Sequence, residues 1–154
     1  MRFLVFGKSG QLSTELGLLT KEDSKIEIIF IDKDIANLEF PEQCSEVILS
    51  KRPDVIINAA AYTDVEKAEE EEDLANKING ESPRAMAKAA KIIDSPLIHI
   101  STDYVFDGAS NKAHLIDTKT NPINSYGRSK LLGEEAIKSS NCIYVILRTS
   151  WVFS

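Results

Sequence analysis

Cysteine is scarce in this chain: Cys44 and Cys142 are the only two among 154 residues. They lie far apart and outside any Cys-x-x-Cys spacing, which excludes a disulfide framework and a cysteine-ligated zinc, and leaves buried free thiols as the expectation. Histidine is equally rare. His99 falls inside an apolar run and reads as a packed core residue, and His114 falls in a polar stretch and reads as solvated. No apolar run approaches the roughly 20 residues of a membrane span, and Phe3-Leu-Val-Phe6 is too short for a secretory leader. A cytoplasmic protein with no membrane partner is expected. Basic charge is also short: 18 Lys and Arg face 24 Asp and Glu, for a net charge of -6. With no basic stripe to track a polyanion, nucleic acid is excluded as a partner. The one dense charge run, Glu69 to Asp73, reads as a solvated helix face or turn. No His or Cys lies near it, so no metal site is expected.

What is present is an ordinary globular composition, 43% hydrophobic and 27% charged, consistent with one domain over residues 1–154. Short apolar runs alternate with helical stripes. Phe3 to Phe6, Ile26 to Ile31, Val55 to Ile57, Leu97 to Ile100 and Ile143 to Leu147 read as strands. Leu12, Leu16 and Leu19 mark a first helix, and a second follows Pro41 and stops before Pro53. Helical stretches are expected around Val65 to Asn76 and from Pro83 to Ile93, the latter with Ala85, Met86, Ala89, Ile92 and Ile93 on its inner side. A last helix contains Tyr126 to Lys138. Strands apolar on both faces, alternating with helices, predict a doubly wound α/β fold with a parallel sheet covered by helices. The polar loop from Phe106 to Pro122 is long enough to form a flap beside a site. The chain halts at Trp151-Val-Phe-Ser154, just after a strand, with no helix to cover it.

Three features in chain order carry the chemistry. Gly7-Lys-Ser-Gly10 follows a strand and opens a helix, the context of a dinucleotide turn: Gly7 permits the tight bend, and Gly10 lets backbone amides approach a pyrophosphate. Ser13 stands where a third glycine would ease helix packing. Asp32, about twenty residues on, can bond a ribose 2′-hydroxyl, which favours NADH, while the adjacent Lys33 could tolerate the 2′-phosphate of NADPH. Capping a helix or a turn is the alternative role for Asp32. Small side chains at Asn58-Ala-Ala-Ala61 suit either a flat cofactor or tight helix packing. Ser101-Thr102-Asp103 ends a strand on the same sheet edge, where a hydroxyl can orient a substrate carbonyl. Tyr126 and Lys130 are four apart and so share a helix face. Bringing a tyrosine from its reference pKa near 10 to near 7 takes about 4 kcal/mol, which a neighbouring ammonium in a closed site can supply.

These segments, with Arg52 to Thr63, Ser101 to Gly108, Asn124 to Leu132 and Leu147 to Val152, resemble the extended short-chain dehydrogenase/reductases, specifically their sugar-nucleotide branch. The resemblance covers the whole chain but only the N-terminal half or so of such an enzyme. It implies a Rossmann domain whose substrate lobe is absent here. Tyr126 is then the proton donor, Lys130 its activator and a ribose contact, and Thr102 the usual catalytic hydroxyl. Thr102, Asp103 and Trp151 match substrate contacts. Gly7, Gly10, Gln11, Leu12, Asp32, Asn37, Leu38, Ala60, Ala61, Tyr62 and Thr63 match cofactor-contacting positions. Asn37 replaces an acidic residue often found beside the adenine.

The activity so implied is NADPH- or NADH-dependent reduction of the 4-keto group of a dTDP-activated deoxysugar, giving dTDP-L-rhamnose, a precursor of surface polysaccharide. The full-length form is implied to be a homodimer. A non-catalytic Rossmann module, like the regulatory subunit of methionine adenosyltransferase, is a second expectation, and a cofactor-binding fragment without turnover is a third.

Overall fold

The computed structural model describes residues 1–19 and 25–150. Five strands form one parallel sheet: β1 (Arg2–Phe6), β2 (Glu27–Ile31), β3 (Val55–Asn58), β4 (Leu97–Thr102) and β5 (Tyr144–Thr149). Their spatial order is β2-β1-β3-β4-β5. The chain therefore reverses direction across the sheet between β1 and β3, with Phe6 level with both Ile31 and Asn58. In such sheets the crevice beyond the carboxyl ends of the strands at this reversal is where ligands bind. The glycine turn, Asp32 and the Asn58 segment all lie at that edge, where β1, β2 and β3 end.

Helices α1 (Gln11–Leu19), α2 (Pro41–Lys51), α3 (Glu72–Asn76), α4 (Ser82–Ile93) and α5 (Ser125–Ser139) connect the strands. Pro41 opens α2, where its missing N–H costs nothing. Arg52 closes it in the left-handed conformation, φ 46°, before Pro53 forbids another turn. Leu4, Phe6, Ile48, Ile56, Met86, Leu97 and Ile137 are fully buried between the sheet and the packed helices α2, α4 and α5.

Several expectations are revised. The helix expected from Pro83 to Ile93 is present as α4, but the stretch around Val65 to Asn76 is not one helix: Lys67–Glu69 is a single 3-10 turn, and α3 runs through a π-helical turn, Lys77–Glu81, straight into α4. Ile92 is 69% exposed rather than part of the inner face, which Met86, Ala87, Ala89 and Ala90 form. Strand β5 is not covered on both sides by the described residues, and Tyr144, Val145 and Leu147 are 39–48% exposed. His114 is exposed yet stacks on Phe106, ring centroids 3.8 Å apart. His99 and both cysteines are buried, as composition suggested. Among the described residues no helix is long and apolar enough to cross a membrane.

Candidate active site

The glycine turn is built by contact with the next strand. Gly7 has φ 101°, and a Cβ there would meet the Ala59–Ala60 peptide at 3.0–3.1 Å. Any side chain would therefore push the turn off β3. The Gly7 amide donates to the Ile31 carbonyl and the Ala59 amide to the Phe6 carbonyl, which ties the three strand ends together. Gly10 and Gln11 are exposed at the start of α1, with Leu12 half-buried behind them. Ser13 is buried, and its hydroxyl has no partner among the described residues. A tight turn without a Cβ, an exposed helix start and an unpartnered hydroxyl beneath it fit a bound dinucleotide diphosphate.

Asp32 follows β2. Its Oδ1 accepts from the Ile35 amide at 3.2 Å, and its Oδ2 from Lys8 Nζ at 3.1 Å. The Lys8 contact is the main reason its pKa lies below the usual carboxylate value. Lys33, expected to balance Asp32, is exposed; the cation on Asp32 is Lys8. Asn37 Oδ1 accepts from the Glu39 amide, the Asn37 amide donates to Gln43 Oε1, and Leu38 packs against the core. Asn37 thus shapes its own turn.

Ala60, Ala61, Tyr62 and Thr63 leave the end of β3. Asn58 Oδ1 accepts from the Ala60 amide at 3.2 Å, so its Nδ2 faces His99 Nδ1 at 3.1 Å. His99 is held neutral by burial, with the nearby Lys130 charge adding to the effect. Asn79, buried in the π turn, clamps the next residue: it accepts from the Tyr62 amide at 2.9 Å and donates to the Tyr62 carbonyl at 3.0 Å. Its amide also donates to Ser129 Oγ at 3.0 Å, and Ser129 Oγ donates to the Tyr126 carbonyl at 2.7 Å. One polar chain thus links the loop after β3 to the turn that carries Tyr126.

Thr102 ends β4 and is buried; its hydroxyl accepts from the Tyr104 amide and donates to Asp103 Oδ1, both at 3.2 Å. Tyr126 lies in the first turn of α5, edge-on to Tyr104 with ring centroids 5.5 Å apart. Close approach is possible because the next residue is glycine: a Cβ on Gly127 would overlap the Tyr104 carbonyl. Lys130 is 2% exposed, and its Nζ donates to the Ile100 carbonyl at 2.8 Å. Burial lowers the Lys130 pKa to about 8, against an upward pull from Glu134. Burial raises the Tyr126 phenol above its usual value, hydrogen bonding to Thr102 works to lower it, and Asp103 and Tyr104 push it up. In this structure the Tyr126 phenol is shifted upward, and one N–H of the Lys130 ammonium is given to a β4 carbonyl. Thr102, Tyr126 and Lys130 do share one place, the junction of β4 and α5. Trp151 lies outside the described residues.

The RmlD substrate binding domain family matches residues 1–154. The chain belongs to this family. A dTDP-4-dehydrorhamnose reductase of Sinorhizobium fredii is 42% identical over 154 residues, which is 100% of this chain and 51% of that protein. The crystal structure of such a reductase from Clostridium acetobutylicum superposes with a TM-score of 0.94 at 37% identity, covering 99% of this chain and 54% of that one. A Bacillus anthracis dTDP-4-dehydrorhamnose reductase, solved in complex with NADP, gives a TM-score of 0.90 at 37% identity, covering 99% and 54%. The chain spans about half the length of the curated relatives it matches.

For a member of the RmlD substrate binding domain family, the polar residues missed by sequence reading are as informative as those found. Glu134 is fully buried, accepts from Ser101 Oγ at 2.7 Å, and pairs with Arg148 through two bonds of 2.8 and 2.6 Å. Burial alone would raise its pKa, but Arg148 and Ser101 hold it below the usual value. Continuing the four-residue spacing from Tyr126 and Lys130 to Glu134 would have found it. Glu69 and Glu71 are not merely solvated: Glu71 accepts from the Tyr62 hydroxyl at 2.8 Å and pairs with Lys67, and Glu69 reaches α5. Beyond Asp103 a cleft of about 510 Å³ runs between Phe106, His114 and β5. Among the described residues no cluster of His, Cys, Asp and Glu could hold a metal.

Proposed function

We propose that this chain is the cofactor-binding half of a dTDP-4-dehydrorhamnose reductase, an enzyme that reduces the 4-keto group of dTDP-4-dehydro-L-rhamnose to give dTDP-L-rhamnose. The observation that carries this reading is the meeting of Thr102, Tyr126 and Lys130 where β4 joins α5, in a sheet whose neighbouring crevice fits a dinucleotide. The relatives' common name and the NADP held by one of them support it.

NADPH or NADH, when bound, supplies the hydride that goes to the sugar's C4. Gly7, Gly10, Gln11 and Leu12 would hold the diphosphate end at the start of α1, and Asp32 would meet the adenosine ribose. Ala60 to Thr63 form the wall that Asn79 keeps rigid. Thr102 orients the C4 oxygen, and Tyr126 protonates it as it becomes an alkoxide. Lys130, once it faces the phenol rather than the Ile100 carbonyl, lowers the cost of ionising Tyr126. Asp103 and Trp151 contact the sugar nucleotide. A cytoplasmic location and a full-length homodimer belong to the same reading.

A module that binds cofactor without turnover is favoured by one observation, the engagement of Lys130 with Ile100 while the Tyr126 pKa is raised. The two readings are separated by NADPH consumption with dTDP-4-dehydro-L-rhamnose, measured for this chain and for the chain extended to the relatives' length. Substrate-dependent oxidation by the extended protein is expected. Cofactor binding with no oxidation by either would favour the module.

A further inference from the structure

We propose that Lys8 is a specificity-determining residue for the cofactor, exchanging its partner between the Asp32 carboxylate and the 2′-phosphate of NADPH. This rests on the reading of the crevice as an NAD(P)H site. Lys8 sits inside the glycine turn, between Gly7 and Gly10, and reaches across to the end of the neighbouring strand, where its Nζ lies 3.1 Å from Asp32 Oδ2. The two side chains are 59% and 30% exposed, so the contact is open to competition from solvent and from ligand.

The division of labour within Asp32 matters. Oδ1 is committed to the Ile35 amide, which closes the turn after β2. Oδ2 is the oxygen left for a ribose hydroxyl, and Lys8 already occupies it. With NADH, the 2′-hydroxyl must share Oδ2 with the ammonium, which weakens the usual preference of an aspartate here for the unphosphorylated ribose. With NADPH, the dianionic 2′-phosphate would meet Asp32 and be repelled, unless a cation stands between them. Lys8 is the cation in hydrogen-bonding contact with that carboxylate. A compact, mobile ammonium can move from carboxylate to phosphate at little cost. Lys33 is adjacent in sequence but exposed, and Oδ2 is paired with Lys8 instead. One lysine in the turn thus narrows the gap between the two cofactors from both sides.

The test is titration of the 154-residue chain with NADH and with NADPH, followed by nicotinamide fluorescence, for the wild type, Lys8→Met, Lys8→Arg and Lys33→Met. Lys8→Met should lower the ratio of NADPH to NADH affinity about tenfold, the scale of one charge-assisted hydrogen bond in an exposed setting. Lys8→Arg keeps the charge and should hold the ratio within about threefold of wild type. Raising the salt concentration should lower the ratio in the wild type and much less in Lys8→Met. An unchanged ratio in Lys8→Met, with both cofactors still bound, overturns the proposal. So does an equal fall in Lys33→Met, since the effect would then be one of diffuse charge. A folded wild-type chain that binds neither cofactor overturns the cofactor reading itself, and this inference with it.

Discussion

The carboxylate of Glu69 accepts both polar hydrogens of Ser125, the backbone amide at 2.7 Å and the hydroxyl at 2.8 Å. Ser125 opens α5, one residue before Tyr126. The Asn124 side chain accepts from the Gly127 amide at 2.7 Å, so two side chains from different segments satisfy the first turn of that helix. The amide bond from Ser125 is also the main reason the Glu69 pKa lies below its usual value. Glu69→Ala should therefore lower the midpoint of urea denaturation, as the loss of a helix cap does. An unchanged midpoint in urea denaturation would show that the Asn124 cap suffices.

Buried Lys130, with Glu134 beside it, predicts a pH dependence. The Lys130 pKa of about 8 lies below its ordinary 10.5, with burial lowering it and Glu134 raising it. Between about pH 8 and 10.5 the unfolded chain then binds more protons, so Lys130 makes stability rise with pH across that window. The charged form that would assist Tyr126 is lost over the same rise. Reductase kcat/KM should thus fall above about pH 8, and Glu134→Gln, by removing the charge that raises Lys130, should move that fall to lower pH. The variant will also be less stable, since Arg148 loses a buried partner. A folded Glu134→Gln protein with its alkaline limb in the wild-type position would contradict this coupling.

Asp32 predicts a shift in cofactor choice. Asp32→Ala removes the group that repels a 2′-phosphate and frees Lys8, so the preference should move towards NADPH. Equilibrium binding of both cofactors checks it, and a move towards NADH would mean that Asp32 does not face the ribose.

The strands were legible because buried parallel strands are short apolar runs ended by turn residues, as at Phe6-Gly7 and Ile31-Asp32. That Thr102, Tyr126 and Lys130 meet was legible because Thr102 ends a strand and the other two share one helix face by their spacing of four. The π turn at Lys77–Glu81 was not, since no local pattern separates it from an ordinary helix. Glu69 and Glu134 were missed for opposite reasons. Glu69 lies in an acidic run whose commonest fate is solvation, and Glu134 looks like a surface residue until Arg148, fourteen residues on, is brought beside it by β5. Lys8 was overlooked because Lys33 is closer to Asp32 in sequence, whereas the sheet sets β1 directly beside β2. In each case the missing information was long-range.

Cofactor binding should stabilise the fold. At about 100 times its dissociation constant, NADPH or NADH should add about 2.7 kcal/mol to the unfolding free energy of the 154-residue chain. A Tm that does not move at saturating concentrations of either cofactor would argue against a dinucleotide site between β1 and β3.

In the proposed reaction Tyr126 is the acid and Lys130 works through it. The direct measurement is single-turnover reduction of dTDP-4-dehydro-L-rhamnose by the family-length protein, with NADPH affinity determined in parallel, for wild type, Tyr126→Phe, Lys130→Met and the double variant. Tyr126→Phe keeps the ring against Tyr104 and should slow reduction about 10²- to 10⁴-fold while NADPH affinity stays nearly constant. Lys130→Met should lose both rate and affinity, and the double variant should be little slower than Lys130→Met alone, because both substitutions disable one proton-transfer unit. Near wild-type reduction by Tyr126→Phe would contradict the account and leave the cofactor-binding module as the better description.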